Sequence, residues 1–452
     1  MNPWVVRHLI SPALERVLGR RTFLLWREMM ASEYWPAERL AELQLAKFRE
    51  LVGVALTQTR AYARITGLDP SWRPSCLEDL VKLPLLDKAT MSHYRDELVN
   101  QAVPGGVFRS STGGSSGEPL IFYMDRRRQA ADKAARMRTH QWWGILPGDR
   151  EAYLWGSPVE LGAQDRLKRF RDALTNELLL SAFDLSEQSV GGFVDRLQHF
   201  GPACLFGYPS SIALLCRLAR RAGLRLDELG VRVVFSTAEV LYDDQKRIIS
   251  EALGGAPVVN GYGSREGGFI AHECPEGRMH IADEGVIVEF LKDARPVAPG
   301  EDGEIVLTNL DNHAMPFIRY RTGDVGQAEE GECPCGRGLS LMKVVKGRTT
   351  DFVIAPDGRW VHGLALIYTV RDVPGVRQYQ IVQQDVDLIA VKLAVEPDFP
   401  ADGDERIRRQ IIQRLGSEVR VEIERVEDIP ADASGKFRYV ISQVARDREA
   451  LL

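Results

Sequence analysis

Between residues 105 and 260, short apolar runs bounded by glycine alternate with stretches of helical spacing, and this alternation limits the possible folds most strongly. Residues 203–207 and 231–236 read as buried strands, and 129–143 and 212–222 as helices between them. Such alternation argues for an α/β sheet with helices on its faces. From 281 to 325 the pattern turns strand-rich, with runs at 285–291, 303–308 and 317–320. Beyond Gly347-Arg348 a further block mixes strands at 352–355, 379–383, 387–395 and 419–425 with a helix at 404–415. The expected organisation is a large N-terminal domain over 1–346 and a small α+β domain over 347–452. Upstream, residues 35–65 carry helix-like spacing that stops before Pro70, and 83–86 leads into another short helix.

A chain of 452 residues has room for both domains, and its 44% apolar and 27% charged fractions suit a globular enzyme. A net charge of −5 disfavours a nucleic-acid binder, whose footprint would be basic. No window approaches eighteen consecutive apolar residues, so no spanning helix is expected. The start (Trp4, Val5, Val6, Leu9, Ile10, Leu14, Val17, Leu18) is interrupted by Arg7, His8, Glu15 and Arg16. It reads as an amphipathic helix docked on the protein, with a basic face able to meet a membrane surface, rather than as a signal peptide. Six cysteines in so long a chain are no disulfide framework, which implies a reducing, cytoplasmic setting.

Residues 110–119 (Ser110, Ser111, Thr112, Gly113, Gly114, Ser115, Ser116, Gly117, Glu118, Pro119) concentrate hydroxyls and glycines. Glycines let backbone N–H groups converge on an anion, and hydroxyls add donors. A Walker loop would end in Gly-Lys-Ser/Thr, whereas Gly117 is followed by Glu118-Pro119, so P-loop kinase chemistry is disfavoured. Apolar residues resume at Leu120, so the segment is a turn within a domain and not a linker.

This loop resembles the phosphate loop of the adenylate-forming acyl-CoA synthetase superfamily, in a form closest to its phenylacetate–CoA ligase-like branch. Members of that branch are often associated with capsule or exopolysaccharide biosynthesis. The likeness runs from about residue 35 to 445, with the nucleotide motifs in the family's order. It implies an adenylate-forming N-terminal domain of mixed sheets and flanking helices with a strand-rich subdomain, and a mobile C-terminal lid.

Residues 260–268 follow an apolar run and set Tyr262 between Gly261 and Gly263, a flat surface for a purine, with Glu266 four positions on. By resemblance Tyr262 stacks on adenine and Glu266 holds Mg²⁺, within reach of the ATP phosphates. Arg265 fills the family's usual hydroxyl position and Ser264 sits one place early. The resemblance makes Asp324, at the end of 317–324, the ribose ligand supported by Arg348. It also makes Lys436, in the late Ser434-Gly435-Lys436 segment, the mobile lysine of adenylation. That ammonium group would neutralise charge developing as a carboxylate attacks phosphorus.

Cys274, Cys333 and Cys335 stand apart from the other cysteines, the last two in a glycine-rich knuckle. Three thiolates and an imidazole would complete a structural Zn²⁺ site, with His280 the first choice for the fourth ligand and His272 the second. Walls of the acid pocket are sought at strand ends. By analogy with the branch these are Tyr208, Ser236, Ala238, Glu239 and Gly261.

The expected reaction is attack of a carboxylic acid on MgATP, then transfer of the acyl group to CoA after rotation about residues 347–351. Rival readings are a non-CoA acceptor (an amine or a hydroxyl), an adenylyltransferase of polysaccharide or natural-product biosynthesis, a non-enzymatic nucleotide-binding scaffold, and phosphoryl transfer. Small molecules are the expected partners, with a homodimer possible.

Overall fold

The structure, a computed structural model, describes residues 1–111, 120–156, 171–182, 184–346, 352–427, 429, 439–442 and 444. The chain enters through α1 (Pro3–Val5), a π turn (Val6–Ile10), α2 (Ser11–Val17), α3 (Thr22–Ser32), α4 (Ala37–Gln58), α5 (Tyr62–Thr66) and α6 (Lys88–His93). In α4, Phe48, Leu51, Val52, Ala55 and Leu56 recur at helical spacing and are buried in the first core cluster. The helical spacing read over 35–65 is in fact broken near residue 60. There the N–H groups of Arg60 and Ala61 donate to the carbonyl of Glu97 (2.9 and 3.2 Å).

Strands β1 (Phe108–Ser111) and β2 (Ile121–Met124) pair antiparallel around the expected phosphate loop, of which residues 112–119 lie outside those described. Helix α7 (Arg126–Trp142) follows, capped by Asp125, whose carboxylate accepts from the Arg128 N–H at 2.7 Å.

A twelve-stranded sheet then carries the body of the chain. It contains β3 (Glu151–Trp155), β4 (Glu177–Ser181), β5 (Cys204–Gly207), β6 (Val233–Thr237), β7 (Val258–Ser264), β8 (Gly268–Glu273), β9 (Met279–Ile281), β10 (Val286–Lys292), β11 (Arg295–Pro296), β12 (Gly303–Asn309), β13 (Tyr320–Glu329) and β14 (Leu341–Lys346). Their order is β11-β10-β12-β13-β14-β9-β8-β7-β6-β5-β3-β4. Pairing is parallel from β4 to β7 and antiparallel from β7 onward. Helices α8 (Val190–Phe200), α9 (Pro209–Arg221) and α10 (Asp243–Ala252) connect the parallel strands, as the alternating pattern required.

The run read as a strand at 317–320 is not one until Tyr320. Arg319 has a φ of 51°, and its buried guanidinium bonds Glu289 (2.9 and 3.1 Å) and the Leu83 carbonyl (2.9 Å). The side-chain network holds the backbone out of the extended region, so the ladder starts late.

The later residues form a β15 (Phe352–Ile354) and β16 (Trp360–His362) hairpin, then α11 (Gly363–Arg371), β17 (Val376–Asp385), β18 (Leu388–Val395), α12 (Gly403–Leu415), β19 (Arg420–Arg425) and β20 (Val440–Ser442). Their sheet has the order β19-β18-β17-β20 and a core of its own, including Leu366, Tyr379, Ile389 and Ile407. Helix α11 has no counterpart in the sequence reading.

Candidate active site

Strand β7 runs through the expected adenine motif rather than ending before it, with a bulge between Tyr262 and Gly263. The bulge re-aims the strand end. Two glycines are demanded by close approach. A Cβ on Gly261 would lie 2.4 Å from the imidazole of His272, and one on Gly263 would lie 2.4 Å from the carbonyl oxygen of Gly268.

The Tyr262 hydroxyl donates to the Asp324 carboxylate at 3.0 Å. On β13, Gly323 has a φ of 76° and the ladder with β12 shifts register between Arg321 and Val325, so the regular alternation of faces is interrupted there. The Tyr320 hydroxyl donates to Glu266 at 3.3 Å, and Thr322 accepts from the Asp324 N–H at 3.1 Å while donating to the Ile305 carbonyl at 2.8 Å. The expected adenine, metal and ribose residues, read from separate motifs, thus meet where the end of β7 and the turn after it face β13.

Arg265 bonds the carbonyl of Ser111 at 2.9 Å, joining this motif to β1, where the expected phosphate loop begins. Ser264 accepts from the Gly267 N–H at 2.8 Å and closes its own turn, so its hydroxyl is engaged locally. Arg128 holds the Glu266 carbonyl at 3.2 Å and pairs with Asp132. Sequence reasoning missed Arg128 and Tyr320 as supports. Tyr320 carried a signal, standing four residues before Asp324, whereas nothing near Arg128 marked it. Ser110 and Ser111 lie on β1. Thr112, Gly113, Gly114, Ser115, Ser116, Gly117, Arg348 and Lys436 lie outside the described residues, as does the pivot at 347–351.

The proposed acid-pocket residues sit at the carboxyl ends of β5, β6 and β7. Tyr208 is buried, stacks on Trp155 (4.3 Å between ring centroids) and donates to the Gly156 carbonyl at 3.1 Å. Glu239 accepts from the Ser210 hydroxyl at 2.5 Å, just after Ala238 at a φ of 68°. Ser236 is buried and donates to the Val259 carbonyl at 3.0 Å, so its hydroxyl serves the sheet.

Cys274, His280, Cys333 and Cys335 converge, with one ligand atom from each within 4.8 Å of the others. The Sγ atoms of Cys274 and Cys333 are 3.6 Å apart, and Cys335 Sγ lies 3.3 Å from His280 Nε2. A tetrahedral Zn²⁺ with its usual bond lengths needs edges of about 3.8 and about 3.6 Å, so this donor set fits one. Nδ1 of His280 faces the Leu339 carbonyl at 3.3 Å, leaving Nε2 for a metal. Burial lowers the His280 pKa to about 4, keeping the ring neutral. His272, the second choice, is not in the cluster: it stacks on Phe269 (5.0 Å) beneath Gly261.

Behind the knuckle, Arg138 pairs with Glu284 at 2.6 Å, and Trp142 donates to Glu33 at 2.7 Å. A second buried group, His140, Glu151 and Cys204, is a poorer cation site. Arg136 lies 3.5 Å from the Glu151 carboxylate, which also accepts from Tyr153 at 2.7 Å.

The fold is that of an adenylate-forming enzyme. Among solved structures, 2-hydroxyisobutyryl-CoA ligase in the thioesterification state, in complex with 2-HIB-AMP and CoA, superposes with a TM-score of 0.63 at 20% identity over 93% of both chains. Residues 353–443 match the CapK C-terminal domain family. Over 412 residues the chain is 24% identical to Protein CapK of Staphylococcus aureus, with 90% of each chain covered. Over 446 residues it is 27% identical to the phenylacetate-coenzyme A ligase of Thermus thermophilus, covering 90% of this chain and 98% of that protein. Over most of its length the chain is thus similar to CapK and to phenylacetate–CoA ligase, and its fold is that of the adenylate-forming enzymes.

Proposed function

We propose that this protein activates a carboxylic acid with ATP and passes the acyl group to the thiol of CoA. The observation that carries the reading is the meeting of Tyr262 with Asp324 and of Tyr320 with Glu266 beside the β1–β2 hairpin. In this reading Tyr262 stacks on the base, Asp324 accepts from the ribose hydroxyls with Arg348 in support, and residues 110–117 hold the phosphates. Glu266 would hold Mg²⁺, which supplies charge neutralisation on the phosphate oxygens.

A carboxylate oxygen attacks the α-phosphorus, pyrophosphate leaves, and Lys436 neutralises the developing charge. The thiol sulfur then attacks the acyl carbonyl, losing its proton as AMP departs. The two half-reactions need different groups at one face, which a lid of residues 347–452 turning on 1–346 would provide. Tyr208, Ala238, Glu239 and Gly261 would border the acid, with Ser236 supporting the strand beneath them.

The Cys274–His280–Cys333–Cys335 cluster would hold a structural Zn²⁺, with four protein ligands and no open position for substrate. Free thiolate ligands accord with a cytoplasmic, reducing setting.

The test is pyrophosphate release over aryl, fatty and hydroxy acids, with and without CoA, followed by identification of the products. Acyl-CoA and AMP are the expected products. An acyl-adenylate formed without thioester would point to an amine or hydroxyl acceptor, and release of ADP would defeat the adenylation reading.

A further inference from the structure

The first helical segment is docked by one side only. Val6 is buried, and Arg7 reaches the Pro147 carbonyl at 2.9 Å and the Asp149 carboxylate at 3.1 Å. The opposite side presents Trp4, Leu9 and Val17 at 59%, 58% and 84% exposure. A π turn closes by a bond from the Ser11 N–H to the Val6 carbonyl, five residues back, so Trp4 stands in line with Leu9. The α-helical repeat then brings exposed Ala13, Arg16 and Val17 under Leu9.

Isolated apolar side chains at a surface are ordinary; a stripe of them is not. Of the eight exposed large hydrophobic side chains among the described residues, five (Met1, Trp4, Leu9, Val17 and Leu24) fall in the first 24 positions.

The same segment is basic. Residues 1–28 hold five arginines against two glutamates, in a chain whose net charge is −5. Glu15 is buried and occupied by Lys133 (2.8 Å) and Thr22 (2.5 Å), so it offers no negative charge outward. Arg16 and Arg21 are exposed and have no carboxylate partner among the described residues. Tryptophan and aliphatic side chains on a short helix flanked by outward arginines match the chemistry of an anionic lipid interface.

We infer that this face docks the protein reversibly on an anionic phospholipid surface. Trp4, Leu9 and Val17 enter the headgroup boundary, and Arg16 and Arg21 meet the lipid phosphates. Attachment is peripheral: among the described residues no helix is long and apolar enough to cross a membrane.

The test is flotation of the full chain with phosphatidylcholine vesicles, with or without roughly one-third phosphatidylglycerol. The chain should float with the anionic vesicles only and be released by high salt. Trp4→Ser/Leu9→Ser/Val17→Ser should weaken binding roughly tenfold or more, and Arg16→Glu/Arg21→Glu should weaken it as well. Both variants should keep the wild-type melting temperature, because the replaced side chains are exposed. Failure of the wild type to float, or flotation of both variants as before, overturns the inference. So does a concentration-dependent dimer abolished by the apolar variant, which would assign the face to a second copy of the chain.

Discussion

The hydroxyl of Tyr262 lies 3.0 Å from the carboxylate of Asp324, although β8, β9 and β14 stand between their strands in the sheet order. Four strand spacings in a flat sheet would separate the two backbones by about 19 Å, beyond what a tyrosine and an aspartate can bridge. The sheet must therefore curl until β7 and β13 face one another, and the proposed nucleotide site is the hollow of that curl. The Tyr320–Glu266 bond closes the same gap a second time.

Removing that hydroxyl while keeping the ring separates the two roles proposed for Tyr262, stacking on the base and holding Asp324. Tyr262→Phe should raise the Kd for ATP about tenfold, and Asp324→Ala about 100-fold, as expected for hydrogen bonds to a charged group. Equilibrium binding of ATP, with circular dichroism as a fold control, provides the measurement. Equal affinities in all three proteins would remove both residues from the site.

Gly261→Ala forces a methyl group into a buried imidazole, and Gly263→Ala forces one into a backbone carbonyl. Each should cost about 1–3 kcal/mol of stability. Chemical denaturation of both variants checks this, and an unchanged midpoint would mean that the strand can relax.

Lys436→Ala should abolish acid-dependent pyrophosphate exchange while leaving ATP affinity within severalfold. A charge that acts on the developing transition state is absent from ground-state binding. Exchange at the wild-type rate would end the assignment of this lysine.

Replacing Cys333 and Cys335 with serine should take bound zinc, measured by metal analysis of the purified chain, from near one equivalent to near none. The melting temperature should fall with it, because a structural metal contributes directly to folding. If neither quantity moves, the four side chains are simply buried donors.

Asp283 provides a pH signature. Burial pushes its carboxyl up from an ordinary 3.8 to about 7, with the neighbouring Glu284 adding repulsion and the Ser340 N–H, at 2.6 Å, opposing the rise. The folded state thus holds a proton that the unfolded chain releases near pH 4. This contribution to stability is complete below that value and is lost as pH climbs to about 7, by up to a few kcal/mol. Asp283→Asn mimics the protonated form, so its melting temperature relative to wild type should rise between pH 4 and pH 7. A constant difference across that range would show that the carboxyl ionises normally.

The local pattern was legible where one physical signal dominated. Alternating apolar runs and helical stretches sufficed for β5, β6, α7 and α9, since burial on a sheet selects both. The cysteine knuckle and His280 were readable because thiolates in a glycine-rich loop have few other uses. Arg319 escaped notice because its left-handed backbone answers to Glu289 and Leu83, distant partners that no local window contains.

By itself the sequence determined the order of the elements, the residue types suited to grip a nucleotide, and a donor set suited to a metal, because propensity, burial periodicity and side-chain chemistry are local properties. The choice of His280 over His272, the coupling of Tyr262 to Asp324 and the anchoring of Arg265 on Ser111 were decided by tertiary structure alone. The coupling of Tyr262 to Asp324 depends on how far a long sheet curls, and curl is the summed twist of many strands rather than a property of any one of them.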